Sequence, residues 1–350
     1  MNKEINFSNR TISENSPIFI VAEISANHLM DYERTVEIIK AAKYAGADAV
    51  KIQTYTADTI TIDTDSEYFT VNHGSIWDGQ RLYDLYKTAY MPWEWQSKLK
   101  KETEDLGMVF FSSPFDFTAV DFLEEMNIDL YKVASLEIVD IPLIRKIAKT
   151  GKPLLISTGI ANLTDIEAAL KVCQEEGNNN VILLKCTSTY PAPYEDINLK
   201  TIPNMKQTFD CLVGLSDHTM GEMVATAAVA LGAKVVEKHL TLKRADGGPD
   251  SAFSMEVEEF KSMVESIRNV EAALGSVTYS LTYQQTKTKE NARSLFVVQD
   301  IKKGEAFTNE NIRSIRPGQG LHTKYYEQVL EKTARNDIKK GTPLNWDLIN

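Results

Sequence analysis

The stretch VVEKHLTLKR at 235–244 begins as an apolar strand and reaches glutamate, lysine and histidine at 237–239. A second apolar run, CLVGLSDHT at 211–219, ends on serine, aspartate and histidine at 216–218. A strand that only fills a core has no need of charged and imidazole side chains at its end. The two runs therefore predict neighbouring strands whose ends form a functional site.

Further apolar runs precede these two and alternate with amphipathic helical patterns such as 33–46, which closes on a glycine, and 163–177, with Thr164 as the candidate N-cap. The runs lie at 18–24, 48–53, 108–113, 130–135, 153–158 and 181–187. Strictly alternating strands and helices are typical of parallel βα units, and eight strands close a barrel. The sequence predicts an α/β fold, a (β/α)8 TIM barrel.

The chain continues beyond the last helical pattern of the barrel, which closes at Gly275. A polar stretch follows, and then two copies of the pentapeptide DIKKG at 300–304 and 337–341. Each copy has the pattern of a strand end with a charged turn and a glycine. We predict a TIM-barrel catalytic domain over 1–280, a linker over 281–293 and a small, mostly β domain over 294–350.

The connection from Thr54 to Pro92 is much longer than the usual βα loop of about 2–6 residues. Long loops in compact barrels are usually functional. Several of the aromatic residues here and just beyond are expected to line a pocket, while the others pack the loop onto the barrel. They are Tyr68, Phe69, Trp77, Tyr83, Tyr86, Tyr90, Trp93 and Trp95.

Composition excludes several classes of protein. The formal charge of −11 over 350 residues disfavours binding to nucleic acid or to an anionic membrane surface. The N-terminal residues form neither a secretory signal nor a membrane span, so we expect a cytoplasmic protein. The three cysteines have no C-x-x-C spacing, which argues against a disulfide framework and a structural zinc site.

The carboxyl ends of barrel strands meet on one face, and unusual polar residues there indicate a site. Any one of them has an ordinary alternative role, such as a helix cap or a satisfied ion pair. Their coincidence on every predicted strand favours function. The candidates are Glu23, Lys51, Gln53, Ser112, Lys132, Ser135, Glu137, Ser157, Ser188, Tyr190, Ser216, His218 and His239.

His218 and His239 are interpreted as ligands of one divalent metal ion, because neutral imidazoles from adjacent strands can converge on it. Glu23, on the strand that adjoins the last one, completes the shell directly or through water. The alternative is a pair of ordinary hydrogen-bonded histidines. The lysines Lys51, Lys132 and Lys185, with nearby serine hydroxyls, predict a cradle for a small phosphorylated or carboxylated anion.

The motifs at these strand ends resemble those of the nonulosonic acid synthases, the sialic acid synthase family. The matching motifs are IVAEISANH, DAVKIQTYT, FFSSPFD, YKVAS, ISTG, KCTSTYPAP, GLSDHT, and EKHLTL with GPDSAFS. In the tail, RPG and GQGL resemble the antifreeze-like (SAF) domain that follows the barrel in that family. Within the family, EISANH and the segment 74–95 resemble the branch that uses a 2,4-diacetamido-2,4,6-trideoxy sugar.

The resemblance implies a transferase that condenses phosphoenolpyruvate with an acylated amino sugar, using Mn2+, Mg2+ or Co2+. It implies that Glu23 orients or deprotonates a water molecule. The residues implied to bind phosphoenolpyruvate are Lys51, Ser112, Lys132, Ser135, Ser157, Ser188 and Ser216. Those implied to face the sugar are Gln53, Glu137, Tyr190 and Asp250. It further implies a domain-swapped homodimer in which Arg316 reaches the partner's sugar site.

Two other classes of protein remain open at this point. A metal-dependent aldolase or sugar isomerase would also use histidines at strand ends, but it would not need a second anion cradle of this size. A non-enzymatic carbohydrate-binding or ice-binding protein, which the antifreeze-like tail alone suggests, would leave the polar strand ends without a role.

Overall fold

The structure, a computed structural model, describes residues 1–72, 74 and 76–350. His73 and Ser75 lie outside the described residues, and Ser75 belongs to the 74–95 segment that carries part of the resemblance. The chain forms two compact units, Met1–Gly275 and Ser276–Asn350. Over the described ranges, no helix is long and apolar enough to cross a membrane.

The first unit contains the predicted barrel. Its strands are β1 (Glu4–Phe7), β2 (Arg10–Ser13), β3 (Phe19–Glu23), β4 (Ala49–Thr54), β5 (Val109–Pro114), β6 (Tyr131–Val133), β7 (Leu154–Ser157), β8 (Val181–Cys186), β9 (Leu212–Asp217) and β10 (Val235–His239). Within the described part of the chain, the eight strands β3 to β10 are parallel and close through pairing of β10 with β3. The predicted TIM barrel is confirmed.

Helices connect the barrel strands. They are α1 (Tyr32–Ala45), α2 (Ala57–Ile60), α3 (Leu82–Ala89), α4 (Trp93–Asp105), α5 (Phe117–Glu125), α6 (Ile141–Ala148), α7 (Leu163–Glu175), α8 (Thr201–Phe209), α9 (Met223–Ala230) and α10 (Val257–Leu274). Gly46 ends α1 with a φ of 89°, a left-handed conformation that glycine adopts without steric cost. The N-cap of α7 is Asn162 and not Thr164, because the Asn162 side chain accepts the backbone N–H of Thr164.

Two separate cores follow from the period-2 alternation of the strands. Residues such as Ile20 and Val50 face outward and pack against the helices. The intervening residues fill the barrel interior, and Ile5, Phe7 and Ile12 of the β1–β2 hairpin join this inner cluster. The hairpin precedes the first predicted strand and is absent from the predicted order of elements. It packs on the inner cluster below the polar strand ends.

The second unit is small and has its own core. It contains α11 (Tyr283–Lys289), β11 (Ser294–Val297), β12 (Ile312–Ile315) and α12 (Tyr326–Leu330), with β11 antiparallel to β12. Helix α11 lies inside the stretch predicted to be a linker. The two DIKKG copies face each other: Ile301 pairs with Ile338, and Asp300 and Asp337 accept the backbone N–H groups of Lys340 and Lys303.

Candidate active site

A layer of polar side chains lies above the apolar interior of the barrel, at the carboxyl ends of the strands. The alternation that places Val21, Ala49 and Val235 in the interior also turns the residues two positions later inward. These are Glu23, Lys51 and Glu237, and all three are buried. Lys51 Nζ lies 2.5 Å from Glu23 Oε2 and 3.5 Å from Glu237 Oε1.

This buried cluster perturbs the ionisation of its carboxyls. Burial raises the pKa of Glu23 to about 7, although the adjacent Lys51 ammonium opposes the shift. Glu237, which is also buried, has a lowered pKa because Lys51 and Lys132 favour its charged form. Glu23 is therefore a carboxyl that can take up a proton near neutral pH, as a general base requires.

The two histidines lie side by side above this layer, with ring centroids 5.4 Å apart. His218 Nδ1 lies 3.0 Å from the carbonyl oxygen of Thr187. Because a carbonyl only accepts, Nδ1 carries the proton, and Nε2 of a neutral ring keeps its lone pair. His239 Nδ1 is buried and has no hydrogen-bond partner among the described residues. Burial lowers the pKa of His239 well below its usual value, so its ring is neutral.

These residues fit a divalent metal ion. A backbone carbonyl that fixes the tautomer of one imidazole is a common arrangement behind metal-binding histidines, and the unpartnered nitrogen of the other is an available donor. Burial lowers the pKa of His218, but the nearby Cys186 outweighs this effect and raises it; Cys186 Sγ lies 3.9 Å from His218 Nδ1. A metal ion at His218 would therefore compete with a proton. Among the described residues, no group of three or more His, Cys, Asp or Glu is arranged to hold a metal.

The predicted anion cradle is partly assembled. Lys132 is buried, and burial lowers its pKa; its Nζ donates to the carbonyl oxygen of Val133 at 3.0 Å. Ser157 Oγ is buried without a partner in the described ranges. The hydroxyls of Ser135 and Ser188 converge on Gly159, where an added Cβ would collide with both oxygens. The absence of a side chain at Gly159 is therefore what allows the two hydroxyls to come so close to its backbone.

Of three further cradle candidates, the structure places one inside the barrel and two outside it. Ser216 faces the interior, where its Oγ lies 3.4 Å from Glu237 Oε1. Ser112 faces the helices instead, and its Oγ lies 2.6 Å from Thr54 Oγ1. Lys185 has the same outward parity, and its Nζ donates to the carbonyl oxygen of Cys186. The structure therefore does not bring Ser112 or Lys185 to the anion cradle.

On this strand the sequence analysis assigned Ser112 to the anion cradle and gave its neighbour, Ser113, no role there. Ser113 Oγ lies 3.4 Å from Lys51 Nζ inside the barrel. A motif with two consecutive serines, both at 112–113, does not reveal which one faces inward. The parity of the strand does reveal it, because Val109 and Phe111 belong to the interior cluster.

The predicted sugar-facing residues line one cavity of about 430 Å3 at the barrel mouth, together with His239. Gln53, Glu137, Tyr190 and Asp250 are all in its wall. Asp250 Oδ2 accepts the backbone N–H of Ala26 at 3.1 Å. Burial raises the pKa of Glu137 to about 7. The four residues that the resemblance assigned to the sugar thus share one cavity.

Aromatic rings enclose the histidines at this cavity. Tyr190 lies over His218 with ring centroids 4.3 Å apart, and Phe253 lies 5.0 Å from His239. Trp77, from the long 54–92 connection, contacts Tyr190 and donates from Nε1 to the carbonyl oxygen of Pro249. Phe253 was not among the predicted site residues.

Few of the aromatic residues that were predicted on the long 54–92 connection line the cavity. Trp77 and Tyr86 line the cavity, whereas Tyr68 is 84% exposed. Trp93 packs on Phe122, which belongs to the helix layer. Aliphatic side chains of the same connection line the cavity as well, and they were not predicted: Ile60, Val71, Leu82 and Leu85.

Arg316 is the remaining candidate. It follows β12 in the second unit, while the other candidates belong to the first unit.

Reactive side chains gathered at the carboxyl end of a closed parallel barrel define an enzyme of the (β/α)8 class. Residues 38–279 match the NeuB family, and residues 292–350 match the SAF domain. A pseudaminic acid synthase of Campylobacter jejuni is 46% identical over 93% of this chain and 95% of its own. A pseudaminic acid synthase of Helicobacter pylori is 43% identical over 95% and 97%.

A solved structure supports the same family assignment as these relatives. The spore coat polysaccharide biosynthesis protein spsE of Bacillus subtilis is 33% identical, with a TM-score of 0.68 over 99% of each chain. The chain belongs to the NeuB family and carries a SAF domain. The resemblance predicted from the strand-end motifs is confirmed.

Proposed function

We propose that the chain is a pseudaminic acid synthase, which condenses phosphoenolpyruvate with 2,4-diacetamido-2,4,6-trideoxy-L-altrose and water to give pseudaminic acid and phosphate. The observation that carries the proposal is the presence of an anion cradle and an imidazole pair in one barrel mouth: Ser135 of the cradle and His239 line the same cavity, and the Lys132 ammonium adds to burial in lowering the pKa of His239. Two relatives above 40% identity bear this name.

His218 and His239 would hold a divalent metal ion, Mn2+, Mg2+ or Co2+, through nitrogens that the fold leaves available. When bound, the metal would act as a Lewis acid on the sugar aldehyde and stabilise the developing alkoxide. The lone pairs needed for this are present when both imidazoles are neutral, and the lowered pKa of His239 favours that state.

The remaining residues divide the chemistry between them. The ammonium groups of Lys51 and Lys132, with the hydroxyls of Ser113, Ser135 and Ser157, would hold the phosphate and carboxylate of phosphoenolpyruvate. Carbon 3 of phosphoenolpyruvate then bonds to the aldehyde carbon. The C2=C3 double bond supplies the electron pair for this bond, and the aldehyde oxygen becomes an alkoxide that gains a proton. Glu23 takes a proton from the water whose oxygen bonds to the electron-deficient carbon 2. The new hydroxyl then loses its proton and becomes the ketone oxygen, while the carbon–oxygen bond to phosphate breaks and phosphate leaves.

A homodimer in which the second unit completes a partner's site is part of this proposal. The start of that unit supports it, because alternate residues of an extended stretch are apolar and strongly exposed. Val277 is 96% and Tyr279 is 98% exposed, and Leu281 continues the alternation. A soluble chain seldom leaves such a stripe uncovered, and a second copy would cover it. Arg316 would then contact an acyl oxygen of the partner's sugar.

The test is a set of reactions with phosphoenolpyruvate and purified sugars, analysed by mass spectrometry and phosphate release. We expect one nonulosonic acid and one phosphate per turnover with the trideoxy sugar. Comparable kcat/KM with N-acetylmannosamine would support one alternative, an N-acetylneuraminic acid synthase. A preference for another stereoisomer of the trideoxy sugar would support the other, a legionaminic acid synthase. Carbon–carbon bond formation or isomerisation without phosphate release would support an aldolase or isomerase instead.

A further inference from the structure

Helix α3 has an unusual relation to the protein interior. Its apolar residues lie at 82, 85, 86 and 89, a spacing that forms one face of a helix. Such a face normally packs on a core, yet none of the residues of α3 is buried. The reason is that Leu82, Leu85, Tyr86 and Ala89 all line the cavity at the barrel mouth. The apolar face of α3 is therefore only half-buried, because it borders an open cavity where a helix face would normally meet other side chains.

The rest of the cavity wall has a different character. Gln53, Glu137 and Asp250 present polar groups, and His239 lies in the same wall. Ile60, from α2, adds to the apolar side. A ligand that fills the cavity thus meets hydrogen-bonding groups on some sides and aliphatic carbon along α3. The matching ligand carries polar substituents and at least one apolar end.

We propose that the α3 face, chiefly Leu82 and Leu85 with Ile60, selects the substrate by receiving the methyl group at C6 of a 6-deoxy sugar. This inference rests on the proposed function. The aldehyde carbon has to lie at His239 to react, so the other carbons of the open chain extend into the cavity. A hydroxyl at C6 would be desolvated against leucine side chains, which offer it no hydrogen bond.

The expected size of the effect follows from how strongly enzymes discriminate between substrates that differ by one small group. A single methyl or hydroxyl in an apolar pocket changes kcat/KM by about 10–200-fold. Polar replacement of one leucine should therefore lower the preference for the 6-deoxy sugar by about 10–100-fold. Binding of phosphoenolpyruvate should not respond, because its cradle is built by the barrel strands and the loops that follow them.

The experiment compares Leu85→Asn, a change that keeps the branched shape of the side chain, with wild-type protein on two sugars. These are 2,4-diacetamido-2,4,6-trideoxy-L-altrose and its 6-hydroxy counterpart. We expect kcat/KM to fall for the trideoxy sugar and to change by less than about threefold for the 6-hydroxy sugar. Leu85→Met keeps the apolar contact and should keep the preference. Ile62→Asn, at a 57% exposed position on the same connection that does not line the cavity, is the matched control.

Three outcomes contradict the inference in different ways. An equal loss of kcat/KM on both sugars would show that α3 supports the fold and does not distinguish between substituents at C6. An unchanged ratio in a folded Leu85→Asn variant would overturn the inference while leaving the proposed function intact. Wild-type protein inactive with the trideoxy sugar would overturn both. If Leu85→Asn does not fold, Leu82→Asn and Ile60→Thr test the same face.

Discussion

Lys238 Nζ lies 2.6 Å from Asp217 Oδ2 in an ion pair whose side chains are each 1% exposed. The two residues are register partners on β9 and β10, and each directly precedes a histidine of the site. They face outward, where Lys238 also donates to the carbonyl oxygen of Thr219. The pair fixes the strand ends that turn His218 and His239 inward.

Removing one member of this pair should damage both stability and the site. Lys238→Met leaves the Asp217 carboxylate buried and unpaired, which costs about 3–5 kcal/mol in free energy of unfolding. Denaturant unfolding measures the loss. The double variant Asp217→Asn with Lys238→Met should recover part of it, because no unpaired charge remains. A single variant as stable as wild-type protein would contradict this role.

Replacement of His218 or His239 by Ala should abolish turnover while the fold is retained. A Lewis acid supplies several kcal/mol to such a reaction, so we expect at least about a 1000-fold loss in kcat. Chelation of the wild-type protein should give the same loss, and addition of Mn2+, Mg2+ or Co2+ should reverse it. Full activity of a chelated, metal-free sample would exclude the metal from the mechanism. Circular dichroism of each variant checks the fold.

The fall in kcat/KM on the acid side of the pH profile, the acid limb, should reflect protonation of Glu23. Its raised pKa of about 7 means that the carboxyl becomes protonated as the pH falls through neutrality. Only the ionised form accepts a proton from water, so kcat/KM should rise from pH 6 to pH 8. Glu23→Gln should be inactive at every pH.

Glu137 provides the control for this assignment, because burial also raises its pKa to about 7. Glu137→Gln should raise the KM for the sugar but keep the acid limb. If the limb disappears in Glu137→Gln, that residue and not Glu23 controls it.

Gly159→Ala should weaken binding of phosphoenolpyruvate selectively. The added Cβ would collide with the hydroxyls of Ser135 and Ser188, which have to move or turn away. We expect the KM for phosphoenolpyruvate to rise about 10-fold or more, the equivalent of about 1.4 kcal/mol. The KM of the sugar, measured on the same preparation, is the internal control. Equal increases in both KM values would place Gly159 outside the anion cradle.

Mixing two inactive chains tests the shared site. His218→Ala and Arg316→Ala are each expected to be inactive, and their heterodimer contains one site with both residues intact. We expect activity to return after subunit exchange, up to about one quarter of the wild-type rate at equal mixing. Exchange has to be confirmed independently with differently tagged chains. Confirmed exchange without recovery would show that Arg316 does not act on the partner's site.

The sequence was sufficient for the barrel because apolar runs and amphipathic helices alternate, and this alternation is a local property. The family resemblance of the motifs, and not the alternation, singled out Gln53, Glu137, Tyr190 and Asp250, which share one cavity. The sequence was not sufficient for Ser112 and Ser113, since two equivalent serines differ only in which face of β5 they occupy. The polar identity of both residues is visible in the sequence, but their direction is set by pairing.

The contribution of α3 could not be predicted for a related reason. Its leucines have the pattern of any amphipathic helix, and the sequence does not show whether such a face meets a core or a cavity. The β1–β2 hairpin was missed because each strand has only four residues, too few for a clear alternation. Both features depend on contacts between residues distant in the chain.

The β1–β2 hairpin packs beneath the polar layer, and this packing bears on the order in which substrates bind and products leave. Ile5, Phe7 and Ile12 join the apolar interior, so among the described residues an apolar cluster separates the hairpin from the polar layer. Lys132 and Ser157 are only 2% and 1% exposed, whereas Gln53, Glu137 and His239 line the cavity at the barrel mouth. If Lys132 and Ser157 hold phosphoenolpyruvate as proposed, we expect phosphoenolpyruvate to bind before the sugar and phosphate to leave after the sugar product. Steady-state kinetics should accordingly be sequential and ordered.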